Sequence, residues 1–176
     1  HEKWADDRLC QYLIFLTDGT MTTLASEIEK VASYAKGAEI TKGDVDAVVI
    51  PALTAQTFDI SNALVDGNYD TALRKLQELY AMQTEPILIL GAIGNQMRRI
   101  YYAKTVMAAG QGQQALMELT GLKSYPAGLT INAARRVGEG FCRRAVELCL
   151  QADRDMKSSQ DDPERLLEVL IAALAQ

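Results

Sequence analysis

Glu85–Lys104 reads EPILILGAIGNQMRRIYYAK, and the fold follows from how this stretch is read. Proline is pre-shaped for the first helical position, where its missing N–H costs nothing, so Glu85-Pro86 marks a helix start. A nearly unbroken apolar run covers Ile87–Ile93 and implies a core segment. The pattern then turns amphipathic, with Met97, Ile100, Tyr101 and Met107 on one side and Gln96, Arg98, Arg99 and Lys104 on the other. No proline interrupts it before Gly110, so a single helix of about 22 residues, ~33 Å long, is expected. Its start is too apolar for a surface and its end too charged for a core.

Working back toward the N-terminus, Asp70–Tyr80 carries an apolar face of Ala72, Leu73, Leu76, Leu79 and Tyr80. Asp59–Val65 reads as a short helix before it. Pro51–Phe58 has no periodicity and opens on proline, so residues 51–58 are expected to form a linker. The first 50 residues read as three short helices. Lys3–Leu16 ends at Asp18-Gly19. A second helix, capped by Thr22 or Thr23, has a stripe of Leu24, Ile28, Val31, Ala32 and Ala35 and stops at Gly37. Asp44–Val49 is introduced by Thr41-Lys42-Gly43-Asp44, a capping box with Asp in place of Glu.

Toward the C-terminus, Gln113–Leu119 stops at Gly121, Tyr125-Pro126 opens a helix reaching Val137, and Gly138–Gly140 breaks the pattern. Phe141–Lys157 follows, and Asp162-Pro163 is a cap followed by an N1 proline for a buried final helix, Glu164–Ala175. No segment alternates with period two for long enough to make a sheet. The expected fold is all-α, with a three-helix unit at 1–50 and a helical bundle at 59–176.

Composition narrows the function. The 176 residues are 48% apolar and 23% charged, as in a globular protein. The net charge of −5 argues against a surface that binds nucleic acid non-specifically. The charge is uneven, because residues 96–144 hold eight Lys/Arg against Glu118 and Glu139. A basic middle can meet an acidic partner or a phosphate backbone, and paired or solvated helix faces explain it equally well. Cys10, Cys142 and Cys149 form no metal or disulfide framework, which fits a reducing, cytoplasmic setting, and Cys142 and Cys149, seven apart on one helix face, read as small core hydrophobes. The longest apolar run is far short of the ~20 residues of a membrane span, and the start at His1 suggests a trimmed fragment.

Catalytic chemistry finds few candidates. The one histidine is His1, at the terminus, which leaves no base for a nucleophilic triad and no His-based metal site. No catalytic, cofactor-binding or metal-binding residues are assigned, no cofactor is implied, and the chain is not expected to be an enzyme. Gly110-Gln111-Gly112-Gln113-Gln114-Ala115 matches G-x-G-x-x-A but follows a helix instead of a strand, so an inter-helix turn outweighs a dinucleotide site. Asp161, Asp162, Glu164 and Glu168 read as cap and first-turn acids. Arg98-Arg99, Arg135-Arg136 and Arg143-Arg144 lack an interleaved aromatic platform except at Tyr101-Tyr102. On a helix those two tyrosines point about 100° apart, one inward and the other outward.

Ala25-Ser26-Glu27-Ile28-Glu29-Lys30-Val31, Ile40-Thr41-Lys42-Gly43-Asp44-Val45 and Phe58-Asp59-Ile60-Ser61-Asn62-Ala63-Leu64 occur in that order. Gly67-Asn68-Tyr69-Asp70-Thr71-Ala72-Leu73 with Leu76, Glu85-Pro86-Ile87 and Gln96-Met97-Arg98 follow, and Ala152–Ser158, Asp162-Pro163 and Leu167-Glu168 close the series. Each motif is weak alone, but the ordered set, from about Leu24 to Leu174, resembles the part of bacterial DNA polymerase III delta subunits that follows the ATPase-like core. Gly138-Glu139-Gly140 departs from it where that family usually starts a helix with Ser.

The resemblance implies a clamp-loader subunit in DNA replication. Residues 1–50 would be an AAA+ lid-like domain, and 59–176 a collar domain that joins neighbouring subunits. Motor and delta-prime-type subunits would be the partners. The sliding clamp would be reached only through an N-terminal module outside this chain, DNA contact would be indirect or weak, and no membrane is involved. The subunit would be non-catalytic within a polymerase holoenzyme. Arg98, Arg99, Tyr101 and Tyr102 are the expected partner-interface residues. The alternative is a nucleic-acid-binding or adaptor domain that uses residues 96–144.

Overall fold

A computed structural model describes residues 2–175, so His1 lies outside the described residues. The chain is all-α, as the periodicity implies. Ten α-helices are present among the described residues, and the one β feature is an isolated parallel bridge between Trp4 and Glu39. Two compact units divide the chain, residues 1–55 and 56–176.

The first unit holds α1 (Asp7–Leu16), α2 (Met21–Tyr34) and α3 (Lys42–Val48). Leu13, Leu16, Val31, Val45, Val49 and Ala55 form its core, and Leu9, Tyr12, Phe15 and Leu24 pack around them. The capping box at α3 is complete. The Asp44 N–H donates to Thr41 Oγ1 at 3.2 Å, and the Thr41 N–H donates to Asp44 Oδ2 at 2.9 Å. Helix α1 starts at Asp7, four residues later than expected, because Asp6 caps it and Trp4 is drawn into the bridge by Trp4 N–H to Ala38 O and Ile40 N–H to Trp4 O. The same pairing corrects the expected stop at Gly37. The chain already leaves α2 in an extended conformation at Ala35, and Gly37 has no positive φ. Ile28 of the expected buried stripe is 47% exposed.

The expected linker is also corrected. Helix α4 runs Leu53–Val65, so most of residues 51–58 is helical and the helix expected at Asp59 begins six residues earlier. Pro51 lies just outside this start, where it does not obstruct the helix. Ala55 and Phe58, three residues apart, are both buried, a pairing that helical spacing permits and that the intervening Thr and Gln obscure in the sequence.

The second unit is arranged around α6 (Pro86–Ala108), a helix of 23 residues. It packs against α7 (Gln113–Thr120), α8 (Ser124–Arg136), α9 (Glu139–Ser158) and α10 (Pro163–Leu174), while α5 (Tyr69–Ala81) packs on α10. Polar side chains tie α10 to its neighbours through backbone carbonyls: Tyr69 Oη donates to Leu174 O, Tyr80 Oη to Glu164 O and Arg144 Nη2 to Ala173 O. Gly138 is the N-cap of α9 with no side-chain cap bond, so the break covers Val137 and Gly138, and Glu139 and Gly140 are helical. Gly110, at φ +70°, and Gly112 make the plain turn between α6 and α7.

Candidate protein-binding surface

Helix α6 sorts its residues differently from the simple split into an apolar start and a charged end. Ile89, Leu90, Ile93, Met97, Ile100, Ala103 and Val106 are buried. Ile87 and Leu88, expected in the core, are 39% and 56% exposed. An unbroken apolar run carries no phase information, and the helical turn places these two on the side away from the neighbouring helices. Gln96, expected on the polar face, is buried beside Thr130 of α8. On α10, Val169 is likewise exposed instead of buried.

Two glycines lie inside α6, where each costs about 1 kcal/mol relative to alanine. At Gly94 a β-carbon would stand in ordinary contact, 3.5 Å from Cys149 Cβ on α9. At Gly91 a β-carbon would meet nothing within 4 Å. Beside these glycines, α6 and α9 border a groove of about 380 Å³, lined by Gly91, Gly94, Arg98, Val146, Leu150 and Asp153. Leu150, at its rim, is 50% exposed.

The four expected interface residues separate around this surface. Arg98 is exposed in the groove, and Tyr102 is 43% exposed on the same side of the helix. Tyr101 is half-buried near Arg143 of α9, and Tyr101 first and Glu139, 3.2 Å away, second push the Arg143 pKa up. Arg99 is half-buried, and burial first and the Arg98 charge second push its pKa down. Among the described residues no carboxylate lies within ion-pair distance of Arg98 or Arg99.

Most of the remaining basic residues between 96 and 144 are engaged within the chain. Arg136 bonds Asp66 at 2.7 Å and Asn62 at 3.0 Å, Lys104 donates to Ala134 O, and Arg144 donates to Ala173 O. They point toward several different helices and do not form one basic face. Sequence reasoning missed Leu88, Gly91 and Leu150 as surface features. The available signal was that Leu88, Gly91, Asn95, Arg98 and Tyr102 share one side of a helix. Among the described residues no group of three or more His, Cys, Asp or Glu is placed to hold a metal ion, and no single helix is long and apolar enough to cross a membrane.

Comparison with known proteins agrees with this architecture. The chain is similar to the DNA polymerase III subunit delta of Bacillus subtilis (strain 168), 26% identical over 174 residues, which are 98% of this chain and 50% of that protein. The corresponding subunit of Escherichia coli (strain K12) is 24% identical over 152 residues, covering 86% of this chain and 44% of the relative. The solved structure of the Bacillus subtilis DNA clamp loader delta protein (YqeN) superposes with a TM-score of 0.82 at 26% identity, over 99% of this chain and 52% of that one. The chain thus spans about half the length of the relatives it matches. A family model described as DNA polymerase III delta subunit, C-terminal domain, matches residues 54–174, more than half of the chain, and the protein belongs to that family.

Proposed function

We propose that the chain is a non-catalytic assembly segment of a clamp-loader delta subunit and joins the other clamp-loader subunits, of motor and delta-prime type, to support sliding-clamp loading in the cytoplasm. In this reading residues 1–50 are the AAA+ lid-like domain and residues 59–176 the collar. The single observation that supports it best is the outer side of α6. The longest helix of the second unit turns Leu88 and Tyr102 to the surface beside Arg98, and neither Arg98 nor Arg99 has an acidic partner among the described residues. Unpaired guanidinium groups next to exposed apolar side chains suit a protein interface, where arginine and aromatic residues are enriched. A stable contact of this kind covers on the order of 1,200–2,000 Å² in total. The internal engagement of Lys104, Arg136, Arg143 and Arg144 weighs against the alternative of a nucleic-acid-binding basic face.

Size exclusion of the chain mixed with purified cognate motor and delta-prime-type subunits tests the proposal. Co-elution at micromolar concentration is expected. The double variant Arg98→Glu/Arg99→Glu is expected to weaken it while helicity and melting temperature change little. Absence of co-elution by the unsubstituted chain overturns the proposal. Unfolding of the double variant would assign the two arginines to the fold instead of the interface.

A further inference from the structure

Two Asp-Gly pairs occur in the chain, Asp18-Gly19 and Asp66-Gly67, and there is no Asn-Gly pair. Each follows a helix, the first after α1 and the second after α4. An aspartate before glycine can close a ring on its own backbone, because glycine has no side chain to shield its nitrogen. Ring closure depends on how firmly the turn holds the carboxylate and the glycine N–H, and the two turns differ in both.

The Asp66-Gly67 turn is pinned. The Asp66 N–H donates to Asn62 O at 2.9 Å and the Gly67 N–H to Leu64 O at 3.1 Å. Arg136 holds both carboxylate oxygens of Asp66, at 2.7 and 3.0 Å. At the other turn the Gly19 N–H donates to no acceptor among the described residues. The exposed Asp18 carboxylate accepts a long bond from Thr54 Oγ1 at 3.4 Å. Asp18 also sits at φ +53°, a left-handed conformation that costs a non-glycine residue free energy, whereas Asp66 is not at positive φ. Rotating the Asp18 turn into a ring-closing geometry therefore gives up little.

We infer that Asp18 is a site of spontaneous isoaspartate formation in the folded protein and that its turn leaves Asp66 protected. The Gly19 nitrogen attacks Cγ of the protonated Asp18 carboxyl. The N–Cγ bond forms as the Cγ–O bond breaks, and the departing hydroxyl takes the amide proton and leaves as water. Water then adds to the cyclic imide at one of its two carbonyl carbons. Addition at Cγ restores aspartate. Addition at the main-chain carbonyl carbon breaks its bond to nitrogen, so the chain runs through Cβ and Cγ and an α-carboxylate is freed. Mass and charge end unchanged, but the backbone between α1 and α2 is one atom longer.

The test incubates the chain in mildly acidic buffer at physiological temperature, both folded and in urea. Fragmentation mass spectrometry locates isoaspartate, and methyl transfer by a protein L-isoaspartyl methyltransferase counts it. In the folded chain residue 18 is expected to convert about tenfold faster than residue 66, where a backbone hydrogen bond and an exposed ion pair must break before the ring can close. In urea both turns are open and the two rates are expected to converge. Asp18→Gly removes the ring-closing carboxyl and suits the positive φ. It is expected to melt close to the parent and to abolish most methyl acceptance by the folded chain. Equal rates at 18 and 66 in the folded chain, or conversion at 18 in urea alone, overturn the assignment, as does methyl acceptance undiminished by Asp18→Gly. A tenfold ratio that persists in urea places the difference in the local sequence and overturns the protection at Asp66.

Discussion

Gln96 Nε2 donates to Thr130 Oγ1 at 3.3 Å, and both side chains are buried where α6 packs on α8. Thr130 Oγ1 also donates back to Pro126 O at 2.8 Å, which leaves the hydroxyl oriented to accept from Gln96. Both partners are buried polar residues, and the pair joins the central helix to its neighbour. A buried donor whose acceptor is removed loses its hydration without replacement, at a cost of about 1–3 kcal/mol. Thr130→Val is therefore expected to destabilise the protein by about that amount in urea unfolding. Adding Gln96→Leu is expected to recover part of the loss, since contacting pairs couple by about 0.5–3 kcal/mol. Strictly additive losses would show that the two side chains do not act together.

The cysteines divide by environment. Cys10 is exposed, while Cys142 and Cys149 are buried. Burial pushes the Cys149 thiol from 9.0 up to about 12 and raises that of Cys142 as well. A disulfide reagent at neutral pH is expected to titrate Cys10 rapidly and the other two only after unfolding, because the thiolate is the reactive form.

The same shifts set an alkaline limit to stability. Burial, with the neighbouring Asp46, pushes Tyr12 from 10.0 up to about 12. A group whose folded pKa is raised holds its proton more tightly in the folded state, so its contribution is fully present below the unfolded pKa. It is lost as pH climbs through the folded value. For Cys149 and Tyr12 that window runs from about pH 9 to about pH 12, the span of the shifts above. Stability from urea titrations is expected to fall across it, and less steeply in Cys149→Ala once compared at each pH.

At α10, Asp162 accepts from the Glu164 N–H at 3.1 Å while Tyr80 Oη holds the Glu164 carbonyl at 2.9 Å. Asp162→Ala removes the cap and leaves the tyrosine anchor. A loss of about 1 kcal/mol is expected, seen as a lower urea midpoint with an unchanged slope.

The all-α class, the order of the helices and most of their ends are local properties, and the sequence alone determined them. Pro86, Pro163, the Thr41/Asp44 box and the Asp162 cap act within one turn of chain, so they are legible without knowing what packs where. The ordered motifs carried the family for the same reason. What the tertiary structure decided was phase. Ile87, Leu88 and Val169 are as apolar as their buried neighbours, and Gln96 is as polar as the exposed arginines beside it. Only the positions of the neighbouring helices assign each to the inside or the outside. The candidate surface follows from this. Arg98 and Tyr102 were visible as residue types, whereas the open notch at Gly91, the exposed Leu150 opposite, and the nearness of Tyr101 to Arg143 arise from contacts between distant segments. Periodicity within one helix shows that it has two faces, and burial by its neighbours determines which of them is left to meet a partner.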